Sequence, residues 1–406
     1  MRKTIVIERA ERLHQIPADL FLGLKRKAQR AVQRGVDVID LSLGNPDESP
    51  SQEVVDELCG AAREVEYNRY LMGYGLEQFR RKVAEFFEAR FEVSVNPELE
   101  VLPLQGVWEG LWGLPLAFVN SGEMVLLPDP CYPLYRAGAI LAGARVETMP
   151  LLERNDFLPN LQHIPEAVAR SAKLLFLNYP NNPTTAVADL SFFQEVVDFA
   201  RTHNIAVVHD ATYSQMTYDD YLAPSFLQAH GAKKVGLELH SFSMTHNLGG
   251  WRLGFAVGNR QLISGLAAVR GCGFVGPSPA LQRAVCKALC LTRTQKDRYA
   301  DRRNMAVQGL RDLGFKLSRP KATPFLWVRV PGRYTSLGFS RRLFRRSGIL
   351  VTPGSGFGER GEGFVRISLT VSEERLRLAL KRMTAHAFIW LRKRRTLESQ
   401  GAQRSL

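Results

Sequence analysis

No stretch of 18 consecutive apolar residues occurs in this 406-residue chain, so no membrane-spanning helix is expected. The opening residues, Met1 to Glu8, lack the apolar centre of a secretory peptide. Internal repeats and low-complexity tracts are also missing. Cysteine is scarce: Cys59, Cys131, Cys272, Cys286 and Cys290 make an odd set, which suits a reduced cytosolic protein better than a disulfide framework. Cys286 and Cys290 share one helical face, yet two thiols alone do not make a zinc site, and no metal is expected. Acidic residues fall short, with 40 Asp and Glu against 54 Lys and Arg, a net charge of +14. Basic clusters stand at Arg341–Arg346 and Arg392–Arg395. No helix-turn-helix, finger or RNA-binding motif accompanies them, so nucleic acid is not the expected partner. They read as a solvated surface that attracts anionic ligands. Phe388-Ile389-Trp390 before the second cluster leaves a membrane-surface tail as the remaining reading.

At 45% apolar content the chain is too long for one ordinary core and predicts two lobes. Short apolar strands alternate with amphipathic helices through the middle. Lys173–Leu177 reads as a buried strand, Ile205–Val208 as another. Between them Ser191-Phe192-Phe193-Gln194 predicts a capping-box helix start, with Val196, Val197, Phe199 and Ala200 facing a sheet. Such alternation implies a mostly parallel sheet covered on both faces, with ligands at the carboxyl ends of strands. Asn178 and Asp210 fall at such ends. From Gln282 to Leu313 the pattern predicts a long helix linking the large lobe to a smaller one with strands near Phe325–Val328 and Phe364–Ile367. The expected division is an N-terminal segment, 1–50, packing with the small domain, a large domain over 51–290, and the linking helix, small domain and basic tail over 291–406.

Several motifs follow in a particular order. They are Asn178-Tyr179-Pro180-Asn181-Asn182-Pro183-Thr184, then Asp210-Ala211-Thr212-Tyr213, then Ser241-Phe242-Ser243-Met244-Thr245-His246-Asn247 followed by Gly250-Trp251-Arg252 and Gly254-Phe255, and finally Arg366 in Phe364-Val365-Arg366-Ile367. In this order they closely resemble the class I/II aminotransferases, enzymes of fold type I that use pyridoxal 5′-phosphate, over almost the whole chain. The wording is similar to the LL-diaminopimelate, alanine and aspartate subgroup. The resemblance implies an α/β fold, with a large domain whose mostly parallel sheet lies between helices and a smaller α/β domain.

It also implies roles. Asp210 would pair with the pyridine nitrogen of the cofactor, keeping the ring an electron sink. Tyr213 and Asn182 would bond its phenolic oxygen, and Tyr132 would stack on the ring. Ser241, Ser243 and Arg252 match phosphate ligands, forked and hydroxyl donors being suited to that group. The turn Gly106-Val107-Trp108 would cup the phosphate with backbone amides at a helix start. Tyr70 resembles a tyrosine that reaches a phosphate across a dimer interface, which implies a homodimer. Arg366 would clamp the α-carboxylate of an amino acid or 2-oxo acid, with Gly44, Asn45 and Asn182 lining the same pocket.

One position breaks the pattern where it matters chemically. The family's lysine, which tethers the cofactor and moves a proton, is replaced by Met244. Methionine matches the unbranched stem but has neither a nucleophilic nitrogen nor a proton to give. Val107, Trp108, Cys131, Thr185 and His246 also depart from the family pattern, and Thr185 would be strained if the glycine it replaces serves a positive φ. The expectation is non-covalent cofactor binding with little transamination. Two alternatives stay open: an active enzyme in which His246 or the substrate amine replaces the lysine, and a non-catalytic pseudoenzyme acting as a binding or regulatory partner.

Overall fold

The computed structural model describes residues 7–17, 20–273, 276–290 and 296–386. The basic run Arg392–Arg395 and Phe388–Trp390 lie outside the described residues, as does the middle of the expected 282–313 helix. Two helices are seen there, Pro279–Cys290 and Lys296–Asp312.

In chain order the strands are β1 (Ile39–Asp40), β2 (Val101–Leu104), β3 (Met124–Asp129), β4 (Arg145–Pro150), β5 (Ala172–Asn178) and β6 (Ala206–Asp210). They continue with β7 (Gly236–Ser241), β8 (Gly254–Gly258), β9 (Phe325–Arg329), β10 (Ile349–Leu350), β11 (Thr352–Pro353) and β12 (Phe364–Ser368). The main sheet has the order β2-β8-β7-β6-β5-β3-β4. Within it β8 alone runs against its neighbours, and the other pairings are parallel. Alternate residues serve opposite faces, as strand geometry requires. Leu175, Leu177, Val207, Phe255 and Val257 join one apolar cluster, with Phe79, Val83 and Phe87 of helix Glu77–Phe91 and with Phe192, Val196 and Ala200 of helix Leu190–His203. Leu174, Phe176, Val208, Leu239 and Ala256 join another, with Leu111 and Leu114 of helix Val107–Phe118 and Leu266 of helix Arg260–Gly273. Covering both faces is what makes these strands continuous apolar runs.

The start of helix Leu190–His203 differs from expectation. Its cap is Asp189, whose Oδ1 accepts from the Phe192 amide at 2.9 Å and from Ser191 Oγ at 2.7 Å. A fixed carboxylate outcompetes a rotating hydroxyl for the orphan amides at a helix start, so Ser191 serves the cap rather than forming it.

A third cluster joins Ile39 and Leu41 near the N-terminus to Leu310, Leu326, Val328, Ile349, Val365 and Ile367. The antiparallel sheet β11-β12-β9 and the parallel pair β1–β10 belong to it. The segment after β1 thereby runs beside β12, where the Ser368 amide donates to Leu41 O. Pairing across more than 300 residues is what carries the Ser42–Asn45 stretch to the carboxyl ends of the main sheet.

Candidate active site

The carboxyl ends of β2, β5, β6 and β7 deliver polar groups to one region. Asp210 closes β6 and is 4% exposed. Its Oδ2 accepts from the Tyr135 hydroxyl at 2.7 Å, and its Oδ1 accepts from Thr212 N at 3.1 Å and Thr212 Oγ1 at 2.6 Å. These bonds fix the carboxylate yet leave acceptor lone pairs free. Asn178 closes β5. Its Nδ2 donates to Asp210 O at 2.7 Å and its Oδ1 accepts from the Asn182 amide at 2.8 Å. Asn181 ties the turn further, accepting from Thr184 N at 3.0 Å and donating to Asn178 O at 3.0 Å. The backbone at Thr185 has φ +64°, the left-handed conformation that its replacement of a glycine anticipated. A β-branched residue held there stores strain of about 1–3 kcal/mol.

Asn182, so positioned, meets two partners. Its Oδ1 accepts from Arg366 Nη1 at 2.7 Å, and its side chain hydrogen-bonds the Tyr213 phenol. Burial pushes that phenol well above its ordinary range, and the Arg366 cation pulls the other way. Arg366 lies on β12 and is 2% exposed. Nη2 donates to Ser42 O at 2.8 Å, while Nε, also buried, has no partner. The guanidinium is enclosed by rings: Phe325 at 4.1 Å, Phe357 at 4.9 Å and Phe21 at 5.4 Å. Burial pushes its pKa down to about 10, with Tyr213 and Tyr132 opposing. No carboxylate pairs with it among the described residues. Gly44 passes beside Phe325, where an added Cβ would lie 2.6 Å from the ring. The Asn45 amide donates to Thr370 Oγ1 at 3.1 Å.

On the opposite side of Tyr132 stands the start of helix Val107–Phe118. Gly106 has φ +77°, and a Cβ there would sit 2.5 Å from Arg252 Nη2. The glycine therefore lets the guanidinium approach the helix start, where the Val107 and Trp108 amides precede the first bond of the helix, Glu109 N to Gly106 O at 3.2 Å. Arg252 donates to Gly249 O at 2.9 Å and lies 5.1 Å from the centre of the Trp108 ring. Trp108 in turn hydrogen-bonds the Tyr132 hydroxyl, which burial pushes up to about 12 against the pull of Arg366. Ser241 Oγ accepts from the Ser243 amide at 3.1 Å. Val107 differs from the rest of its turn: its side chain is 8% exposed and packs into the core beneath. A β-branched apolar group on that face seeks the sheet, so this residue offers a ligand its amide alone.

Met244 is 4% exposed and belongs to the third apolar cluster, with Met216, Tyr218 and Tyr299, against which Tyr213 packs. No lysine is among the residues gathered here. His246 faces elsewhere. Its Nδ1 meets Thr245 Oγ1 at 2.7 Å and its Nε2 meets Ala288 O at 3.1 Å, in helix Pro279–Cys290. Both ring nitrogens are thus engaged away from Asp210. Tyr70 is 87% exposed on a single chain and shares a groove of about 420 Å³ with Gln105 and the 276–279 turn, apart from the Asp210–Arg366 group. Tyr135, Phe21 and Phe357 were not singled out in the sequence. Tyr135 had a usable signal, standing three residues after Tyr132 on one face of a helix start. The two phenylalanines had none, since they join from opposite ends of the chain.

The engagement of His246 has a measurable consequence. Burial holds its pKa down to about 4, against an ordinary 6.5, with the bond to Ala288 opposing. The unfolded chain therefore binds this proton first. Stability is lost as pH falls below about 6.5, the loss being complete near pH 4 at up to about 3 kcal/mol. His246→Gln keeps a polar partner for Ala288 but cannot titrate. Urea unfolding between pH 7 and 4 should show a shallower fall for the variant. Parallel curves would mean that the ring does not titrate with folding.

A fixed carboxylate, an enclosed arginine, a glycine-opened helix start and an open α/β sheet together define a fold-type-I pyridoxal-phosphate protein. The family model for aminotransferase class I and II matches residues 36–383, and the chain belongs to that family. It is 44% identical over 382 residues to the LL-diaminopimelate aminotransferase of Moorella thermoacetica, covering 93% of this chain and 98% of that protein. The corresponding protein of Aquifex aeolicus is likewise 44% identical over 382 residues, covering 93% and 99%. Among solved structures, substrate-bound BacF from Bacillus subtilis superposes with a TM-score of 0.91 at 35% identity, covering 94% of this chain and 98% of that one. Pyridoxal 5′-phosphate is the cofactor expected for this family.

Proposed function

We propose that this chain is a cytosolic homodimer that holds pyridoxal 5′-phosphate without a covalent tether and takes up an amino acid or 2-oxo acid on Arg366. A diaminopimelate-like substrate is the reading its relatives support. The observation that carries the proposal is Arg366 itself. A cation 2% exposed, with an orphaned Nε and no carboxylate partner among the described residues, is costly unless a ligand supplies the anion. A substrate α-carboxylate is the anion whose fork matches it.

The remaining residues fit the cofactor. Asp210 retains acceptor capacity for a protonated ring nitrogen. Asn182 Nδ2 and Tyr213 would bond its phenolic oxygen, and Tyr132 would offer a ring face. Gly106 keeps Arg252 against the helix amides, a cradle that a Cβ would fill. Ser241 and Ser243 add hydroxyls, and Tyr70 would complete the cradle of a second copy. Once bound, the cofactor supplies an electron-accepting ring and a carbonyl that exchanges with amines. Holding that group and orienting the carboxylate remain tasks of this chain. The proton transfer that a lysine performs has no evident performer, since Met244 is inert and His246 is engaged elsewhere.

The test uses the purified chain with one equivalent of pyridoxal phosphate, followed by borohydride and intact-mass measurement. The melting temperature should rise with the cofactor, and the mass should stay that of the bare chain. A pyridoxyl adduct on any lysine would defeat the non-covalent reading.

A further inference from the structure

A cluster of basic side chains lies away from the strand ends. Helix Leu20–Val32 leads into β1 and helix Ser336–Ser347 leads into β10, and these two strands pair in parallel. Between the helices runs an open-sided groove of about 850 Å³. Arg26, Lys27, Arg30 and Arg34 line it from one side, Arg345 and Arg346 from the other. Asp37 is the one acidic residue in its lining, and its carboxylate already accepts from both Arg375 and Arg382. Among the described residues none of the six cations is in an ion pair with a carboxylate. Lys27 is half-buried, its Nζ 4.6 Å above the Phe344 ring. Burial first, then Arg341 and Arg345, hold its ammonium below the ordinary lysine range.

Helix dipoles account for part of this. Arg30, Arg345 and Arg346 sit in last turns, where cations are favoured. They do not account for Arg26 and Lys27 in mid-helix, nor for two chain segments bringing like charges to one concavity. A cleft lined by one sign of charge focuses its field and concentrates anions from solution. The groove has the volume of a small-molecule site. Its donors are mostly guanidinium forks, suited to phosphate oxygens. One phosphate would leave most of the charge unmatched. Duplex nucleic acid would call for an outward-facing stripe rather than a recess between two helices.

We propose that this groove binds a small anion carrying several phosphate groups, at a site that shares no residue with the Asp210–Arg366 pocket. The probe is inorganic tripolyphosphate, titrated calorimetrically into the full chain at about 150 mM salt, where diffuse surface attraction is screened. Saturable binding at one site per chain is expected. Arg30→Gln/Arg346→Gln should weaken it at least about tenfold, by removing two charge-assisted donors, while circular dichroism reports an unchanged fold. Arg252→Gln, which alters the other phosphate-type site, should leave it intact. The proposal is overturned by absence of saturable heat, by equal affinity in the double variant, or by loss of binding in Arg252→Gln. It is equally overturned if phosphatidylglycerol vesicles or a duplex oligonucleotide bind and tripolyphosphate does not displace them.

Discussion

Met244→Lys is expected to acquire a cofactor bound through its new amine and, with it, measurable transamination. The two side chains share an unbranched stem, so the exchange leaves the loop after β7 its backbone and adds one amine. After borohydride, the variant's mass should increase by a single pyridoxyl group, with the label on the introduced lysine. Amino-group transfer between an amino acid and a 2-oxo acid should exceed that of the parent by about 10²–10⁴-fold, the usual worth of positioned proton transfer. The exchange has a cost that makes the test sharper. Met244 is 4% exposed among Met216, Tyr218 and Tyr299. An ammonium placed there without its cofactor loses its hydration and is driven towards the neutral form. The ligand-free variant should therefore unfold about 2–4 kcal/mol more easily than the parent. Pyridoxal phosphate should restore that loss in the variant by more than it stabilises the parent. Calorimetric melting with and without cofactor reads this directly. An unlabelled variant whose melting responds to cofactor just as the parent's does would mean that position 244 does not face the cofactor. The altered turn at Val107 and Trp108 would then be the place to seek the defect.

Much of this arrangement could be read from residue patterns, and what could not has identifiable causes. Leu174–Leu177 and Ile205–Val208 are apolar without alternation because helices cover both faces of the sheet, and their ends at Asn178 and Asp210 coincide with the site. The Asn178–Thr184 motif carries its own hydrogen-bond logic: two asparagines bond the strand end and the turn, so local sequence suffices to place Asn182. The strain at Thr185 was legible for the same reason. β1 was not, because two residues carry no periodicity, and its pairing with β10 depends on chain more than 300 residues away. The enclosure of Arg366 by Phe21, Phe325 and Phe357 was hidden likewise, its parts being scattered from end to end. The orientation of His246 was beyond sequence altogether. A tyrosine-to-histidine exchange two residues from Met244 gives no hint that the ring will turn to Ala288 on a separate helix.

Arg366→Met separates binding from stability at the one residue where the two conflict. The arginine is enclosed by three aromatic rings, donates to Asn182 and Ser42, and has an Nε that nothing satisfies. In the absence of a ligand it is a buried cation without a counter-ion among the described residues, and burial already depresses its pKa to about 10. Replacing such a group by an apolar side chain of similar reach is often neutral or stabilising by about 1–4 kcal/mol. Against this stand two hydrogen bonds, each worth about 1 kcal/mol or somewhat more because the donor is charged. The ligand-free variant is therefore expected to be no less stable than the parent in urea. Binding should respond in the opposite sense. Loss of a bidentate, charge-assisted pair in a dry site removes about 3–5 kcal/mol, or at least about a hundredfold in affinity for an amino acid or 2-oxo acid. Stabilisation by the cofactor alone should persist, because Asp210, Gly106 and Arg252 are untouched. Titration of parent and variant with a 2-oxo acid in the presence of pyridoxal phosphate measures the first effect, and urea unfolding the second. If the variant kept the parent's affinity, the carboxylate would have to be held elsewhere, and the orphaned Nε would be a structural cost with no ligand to offset it.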